Sequence, residues 1–196
     1  MINPTQTLWT PLAPLTLDWR GDAPVARDSG DIFFSPEDGI AESQYVFLEG
    51  NRLSERWPAQ TTDQPFVIGE IGVGTGLNLC LTLAGWLTHR RPGATLHYLG
   101  FERAPLRPED MRRALGHWPE LAPMLSALLT RWPDPLPGCH RRYFPDWGLT
   151  LDLWWADAAD ALEDLASHGR RWIDAWYLDG FAPSREPGPW QQRLYD

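Results

Sequence analysis

The stretch Val67-Ile68-Gly69-Glu70-Ile71-Gly72-Val73-Gly74-Thr75-Gly76-Leu77-Asn78 decides the fold of this chain. An apolar, strand-like run meets an acid and three alternate glycines, and a helical pattern begins directly after them. A parallel strand entering a helix through such a turn leaves backbone N–H groups open at the helix start, and glycines let a ligand approach that backbone closely. The expectation is a cofactor cradle.

Downstream of the glycines, Leu77, Leu79, Leu81, Leu83, Trp86 and Leu87 supply a largely apolar helix that His89-Arg90-Arg91-Pro92-Gly93 ends. Thr95-Leu96-His97-Tyr98-Leu99-Gly100-Phe101-Glu102 reads as a second strand finishing in an acid, and residues 107–115 as a helix. Leu149-Thr150-Leu151-Asp152-Leu153-Trp154-Trp155 is a strand by alternation, closed by Ala156-Asp157 and followed by a helix over 158–165. Ile173-Asp174-Ala175-Trp176-Tyr177-Leu178-Asp179-Gly180 is a further core strand ending in an acid and a glycine. Strands alternating with helices predict an α/β fold with a doubly wound parallel sheet. Residues 117–147 are proline-rich, carry Trp118-Pro119 and Trp132-Pro133 around a helical piece at 121–131, and read as an insertion.

Upstream, the polar run with Pro58 and Thr61-Thr62-Asp63-Gln64 reads as a linker into the first core strand. A helical pattern runs from Ile40 through Tyr45, Val46 and Phe47 and stops at Gly50-Asn51. Ser35-Pro36-Glu37-Asp38 reads as its start, with the serine capping and the proline at the first helical position, and Ile32-Phe33-Phe34-Ser35 as a strand. Residues 1–26, with the alternating Leu15-Thr16-Leu17-Asp18-Trp19, form an expected hairpin arm whose role is packing, ahead of a domain over 27–196.

Composition narrows the classes. With 196 residues, 43% of them hydrophobic, the chain holds one domain with a full core. A net charge of -9 argues against non-specific attraction to nucleic acid, although a local basic patch is compatible with it, and all 17 basic residues are arginine. Cys80 and Cys139 are not closely spaced and the five histidines are scattered, so neither a metal site nor a disulfide scaffold is expected. No leader-like segment or bilayer-length apolar run is present, which predicts a cytoplasmic protein without a membrane partner. The 12 tryptophans are too many for one stacking platform and are expected in the core or half-buried.

Open parallel sheets bind ligands at the carboxyl ends of their strands, which singles out Glu70, Glu102, Asp157 and Asp179. Glu102 lies 26 residues beyond Gly76, about where a second-strand acid meets the two hydroxyls of a ribose. Nicotinamide dinucleotides and S-adenosylmethionine both carry that ribose. A dinucleotide fingerprint spaces its third glycine three residues after the second, whereas Gly72, Gly74 and Gly76 alternate behind Glu70. This acid-x-Gly-x-Gly-x-Gly arrangement resembles the first motif of the Rossmann-like methyltransferases. The resemblance implies S-adenosylmethionine as cofactor, with Glu70, Gly72, Gly74, Gly76 and Asn78 in its binding set. It also implies Glu102 on the ribose and Asp157 on the adenine side. Asp179-Gly180-Phe181-Ala182-Pro183 stands where amino-directed methyltransferases carry an acid-or-amide, proline and aromatic sequence. A carboxylate at Asp179 can accept an N–H of an amine and aim its lone pair at the methyl, with Phe181 and Pro183 as a wall against a base.

Separated stretches then converge on one family. Arg27-Asp28 with Asp31, Tyr45-Val46-Phe47-Leu48 with Gly50-Asn51, the glycine loop, Phe101-Glu102 and Asp174-Ala175-Trp176 through Pro183 resemble the methyltransferase half of the bifunctional tRNA 5-methylaminomethyl-2-thiouridine biosynthesis protein. Trp118-Pro119-Glu120-Leu121-Ala122-Pro123 and Leu136-Pro137-Gly138-Cys139-His140-Arg141 make that resemblance specific. It implies methylation of the aminomethyl group on the wobble uridine of tRNA, Asp179 as the catalytic residue, Tyr45 in substrate contact, and tRNA as partner. FAD enters only if a fused oxidase exists outside this chain. The fold of that family continues for three more strands, so its C-terminal strands are expected to be missing from this chain, which then reads as a fragment. Three other readings stay open on the residues alone: a methyltransferase of small amines, a non-catalytic cofactor-binding scaffold, and, disfavoured by glycine spacing, an NAD-dependent oxidoreductase.

Overall fold

The computed structural model describes residues 10–61, 63–167 and 173–180. Its first elements are β1 (Leu17–Arg20) and β2 (Ala23–Ala26), an antiparallel hairpin turning at Gly21, then α1 (Gly39–Ser43), which runs into a π-helical turn over Gln44–Glu49, and α2 (Leu53–Ala59). There follow β3 (Phe66–Ile71), α3 (Leu77–His89), β4 (Leu96–Glu102), α4 (Pro108–Leu115), α5 (Ala122–Leu129), β5 (Gly138–Phe144), β6 (Leu149–Trp155), α6 (Ala158–Ser167) and β7 (Ala175–Leu178).

Among the described residues, five strands form one sheet in the order β5-β6-β4-β3-β7. β3 pairs in parallel with β4 on one side and with β7 on the other, β4 pairs in parallel with β6, and only β5 runs antiparallel. The chain therefore steps outward from β3 to one side and returns across it to place β7 on the other. That reversal opens a crevice beyond the carboxyl end of β3, where the glycines stand.

Side-chain alternation along each strand serves two cores. Ile68, Tyr98, Leu151, Leu153 and Tyr177 join α3, which buries residues around most of its circumference, among them Leu79, Cys80, Leu83 and Trp86. On the opposite face Ile71, Leu99 and Phe101 pack against Ala158, Ala161 and Leu165 of α6. Helices on both faces of a mainly parallel sheet make the doubly wound α/β fold read from the sequence. Trp57, Trp86 and Trp155 are fully buried, and two of their indoles donate to backbone carbonyls, Trp86 to Trp147 at 2.8 Å and Trp155 to Asp134 at 3.1 Å.

Four local expectations are corrected. Ile32-Phe33-Phe34-Ser35 is not a strand: only Ile32 bridges, to Val25, and Phe34 turns inward to meet Trp118 in a tilted ring contact at 5.0 Å between centroids. Ser35 and Pro36 do not open a helix; α1 begins at Gly39 after Asp38, with no side-chain cap. The polar run after Asn51 is not all linker, because Leu53 and Trp57, one helical turn apart, bury the inner face of α2 and Pro58 sits in its last turn. Within the stretch read as an insertion, Gly138–Phe144 joins the main sheet as β5, a strand its His-Arg-Arg sequence conceals.

Candidate functional site

The loop after β3 turns three times through backbone that favours glycine. Gly72, Gly74 and Gly76 have φ of +84°, +50° and +78°, values L-residues with side chains rarely adopt. Space forbids side chains as well. A Cβ on Gly72 would run into the Asp179 carbonyl, and one on Gly74 would stand 2.9 Å from the Phe33 ring. Gly76 precedes the first residue of α3, and its carbonyl accepts the Cys80 N–H at 2.9 Å to start the helical ladder.

This loop borders a cleft of about 300 Å³. The carboxyl ends of the strands bring Glu102, Asp157 and Asp179 to its wall, joined by Gly72, Gly74 and Asn78. Glu102 is anchored by two backbone donors: Oε2 accepts from Gly74 at 3.1 Å and Oε1 from Ala104 at 2.9 Å. Asp157 caps α6, its Oδ1 accepting the Ala159 N–H at 3.0 Å. Asp179 follows β7, its N–H bonded to the Ile71 carbonyl at 3.1 Å, and its Oδ2 accepts from Asn78 Nδ2 at 2.6 Å. Burial pushes the Asp179 carboxyl up to about 6 against the lowering effect of the Asn78 bond, and the charge of Glu42 adds to the rise.

Glu70 is placed differently from the other acids. It is fully buried and lies behind the cleft wall, with Oε2 accepting from the Tyr98 hydroxyl at 2.7 Å and Oε1 from Asn78 Nδ2 at 3.0 Å. Desolvation drives its pKa up to about 8; the Tyr98 bond opposes the rise and the charge of Asp179 reinforces it. Its contact with the cleft therefore runs through Asn78.

Tyr45 stands on the π-helical turn, 72% exposed and off the cleft wall, although Ser43, two residues earlier, is on it. Phe181 and Pro183 lie outside the described residues. The wall also contains residues that the sequence did not single out for it: Leu15, Asp31, Ile32 and Phe33. Leu15 comes from the arm expected only to pack, and Ile32 and Phe33 from the segment expected to be a strand. The signal was faint, consisting of apolar residues beside an acid with no regular element to hold them. Among the described residues no group of three potential ligands is arranged to hold a metal ion, and no helix is long and apolar enough to cross a membrane.

Comparison with known proteins agrees with this geometry. A family model described as S-adenosyl-L-methionine-dependent methyltransferase matches residues 119–196. The chain is 44% identical over 191 residues to the tRNA 5-methylaminomethyl-2-thiouridine biosynthesis bifunctional protein of Aeromonas salmonicida. It is also 44% identical over 190 residues to the protein of that description from Chromohalobacter salexigens. Each alignment covers 95% of this chain but only 29% and 26% of the relative, so the chain spans less than a third of their length. In fold it is similar to the crystal structure of MNMC2 from Aquifex aeolicus, with a TM-score of 0.65 and 22% identity over 91% of this chain and 54% of that one. The resemblance read in the sequence, to the methyltransferase domain of the bifunctional protein, is borne out by these matches.

Proposed function

Proceeding from the premise that this chain is such an S-adenosylmethionine-dependent methyltransferase domain, we propose that it methylates the 5-aminomethyl group of the wobble uridine in tRNA. The observation that carries the reading is the position of Asp179. Held by Asn78 at 2.6 Å, it shares one cleft wall with the glycine loop and with Glu102.

The residues present fit the cofactor. The bare glycine backbone at positions 72 and 74, where a Cβ has no room, gives the methionine portion a close approach. Glu102 spends one lone pair of each oxygen on a backbone N–H, which orients the carboxylate and leaves acceptor capacity for both ribose hydroxyls. Asp157 borders the adenine side. When bound, S-adenosylmethionine supplies an electrophilic methyl on a sulfonium.

The chain itself has to bring a neutral amine to that methyl in line and keep water out. An alkylammonium must lose a proton before its lone pair is free. Asp179, with its pKa at about 6, is ionised at neutral pH yet close enough to that pH to take a proton, and its oxygens can hold an amine N–H while the lone pair points forward. Tyr45 offers an exposed ring on which a nucleobase stacks. Residues 1–26, which precede the domain of 27–196, contribute Leu15 to the cleft lining. FAD has a place only if an oxidase domain exists outside this chain.

Incubation of the complete protein with methyl-labelled S-adenosylmethionine and undermodified tRNA tests the proposal. Label in the methylaminomethyl nucleoside at the wobble position is expected. Label on free alkylamines without tRNA would select the small-amine reading instead, and binding of S-adenosylhomocysteine without any transfer would select the scaffold.

A further inference from the structure

The amide of Asn78 joins two carboxyl groups that belong to different strands. Its Nδ2 donates to Glu70 Oε1 at 3.0 Å and to Asp179 Oδ2 at 2.6 Å, which uses both N–H bonds, and its Oδ1 has no partner among the described residues. An amide is free to turn about its last torsion unless its hydrogen bonds oppose the turn. Rotation by half a turn would set Oδ1 against both acids. Glu70 is itself fixed from behind by the Tyr98 hydroxyl at 2.7 Å, and Tyr177 beside it is held by Thr82 at 3.0 Å.

We propose that Glu70 is a positioning residue, which locks the Asn78 amide with its N–H groups toward Asp179 and so holds the reacting carboxylate in place without itself touching cofactor or substrate. The role rests on the reading of Asp179 as the acid that meets the amine. It differs from a cofactor contact, which the position of Glu70 behind the cleft wall does not provide. It also explains why a buried acid stands here without a cation among the described residues: the groups facing Glu70 there are Tyr98 from β4, Tyr177 from β7, Asn78 and Cys80 from α3, and the acids Asp179 and Glu102, none of them positive. In such surroundings Glu70 keeps its proton at neutral pH. A neutral carboxyl serves the lock well, since Oε1 as its carbonyl oxygen accepts from Asn78, the O–H at Oε2 faces the Tyr98 oxygen, and no second negative charge is added beside Asp179.

Carbon-13 titration of the Asp179 carboxyl in the whole chain reads the lock without reference to catalysis. Loss of its donor in Asn78→Ala should move the Asp179 pKa upward by about one unit. Glu70→Leu, which frees the amide, should move it in the same direction, while Glu70→Gln, which retains an acceptor for Asn78, should return it to the wild-type value. An Asp179 titration in Glu70→Leu identical to wild type would overturn the proposal. If that variant does not fold, the nitrogen-15 signal of the Asn78 amide in the wild type decides. It should show two inflections, near the pKa values of Asp179 and Glu70, and Glu70→Gln should keep only the lower one. A single inflection in the wild type would equally overturn the lock. In methyl transfer, Glu70→Leu should lower kcat on the order of tenfold, with S-adenosylhomocysteine affinity nearly unchanged. Absence of transfer in the wild type would overturn the proposed function and leave the titrations to decide the lock.

Discussion

Glu70 and Asp152 are two carboxyl groups buried to nearly the same degree, 0% and 2% exposed, on strands of one sheet. Their chemistry is opposite. Asp152 projects from the α6 face, where Arg141 of β5 grips it with two donors, Nε to Oδ1 and Nη2 to Oδ2, each at 2.6 Å, while His97 lies 2.8 Å from Oδ2. Burial pushes its pKa upward, but the Arg141 and His97 bonds outweigh burial and hold it at about 2. Glu70, on the α3 face, has only neutral donors, and burial raises it to about 8. Burial sets the cost of charge, and the partner decides whether the charge is kept. The ionised acid fastens an edge strand to the sheet, whereas the neutral one sits beside the cleft, where a permanent cation would compete with the reacting amine for Asp179.

Taking the cation away from Asp152 should break this contrast most severely. Arg141→Met leaves a buried carboxylate with His97 as its remaining side-chain partner. Breaking a buried pair costs ~3–5 kcal/mol, and the 45% exposure of the arginine side chain argues for the lower end. Urea unfolding should therefore show a loss of about 3 kcal/mol, with part of it recovered in the double variant that also carries Asp152→Asn. An unchanged midpoint in Arg141→Met would mean that the β5 ladder alone holds the edge.

Within the cleft the contrast sharpens into a division between turnover and binding. Asp179→Ala should lower kcat about a hundredfold, while S-adenosylhomocysteine affinity changes little. Glu102→Ala should weaken that affinity about tenfold with a smaller effect on kcat. Kinetics combined with direct titration would show the reverse pattern if the roles of the two acids were exchanged.

The last contrast is a difference in the slope of stability with pH. The native pKa of Asp152 lies below its ordinary value of 3.8, so its stabilising contribution is complete above about pH 4 and is lost as pH falls toward 2. For Glu70 the native value of about 8 lies above the ordinary 4.5. Between those values the unfolded state binds fewer protons than the native state, and stability falls with rising pH by up to about 1.4 kcal/mol per unit. Denaturant titrations of Glu70→Gln against wild type should show this slope removed between pH 5 and 8. Parallel stability curves in that window would place a charged Glu70 in the native state.

Much of this molecule is legible in its residues because the signals are local. β3, α3, β4, α4, β6 and α6 follow from apolar periodicity, and the positive-φ turns of the loop follow from glycines at alternate positions. What escaped was set by distant partners. β5 contains His140, Arg141 and Arg142 and looks like surface until β6 offers it a ladder and Asp152 a countercharge. α2 hides a two-residue apolar face, Leu53 and Trp57, in a polar sequence with a proline. Ile32 and Phe33 look like strand residues by composition, but their side chains are taken up by the cleft wall.

The sequence by itself determined the α/β class, the cradle with its alternating glycines, and the acids at the strand ends, since spacing along the chain fixes which residues follow a strand or open a helix. Only the tertiary structure decided that Asp179 and Glu70, 109 positions apart, meet on one amide, and that the fold seats one of these acids on the cleft wall and the other behind it. The physical reason is that desolvation and hydrogen bonding depend on what surrounds a carboxyl group in space, and in this chain those surroundings come from β4, α3 and β7 together.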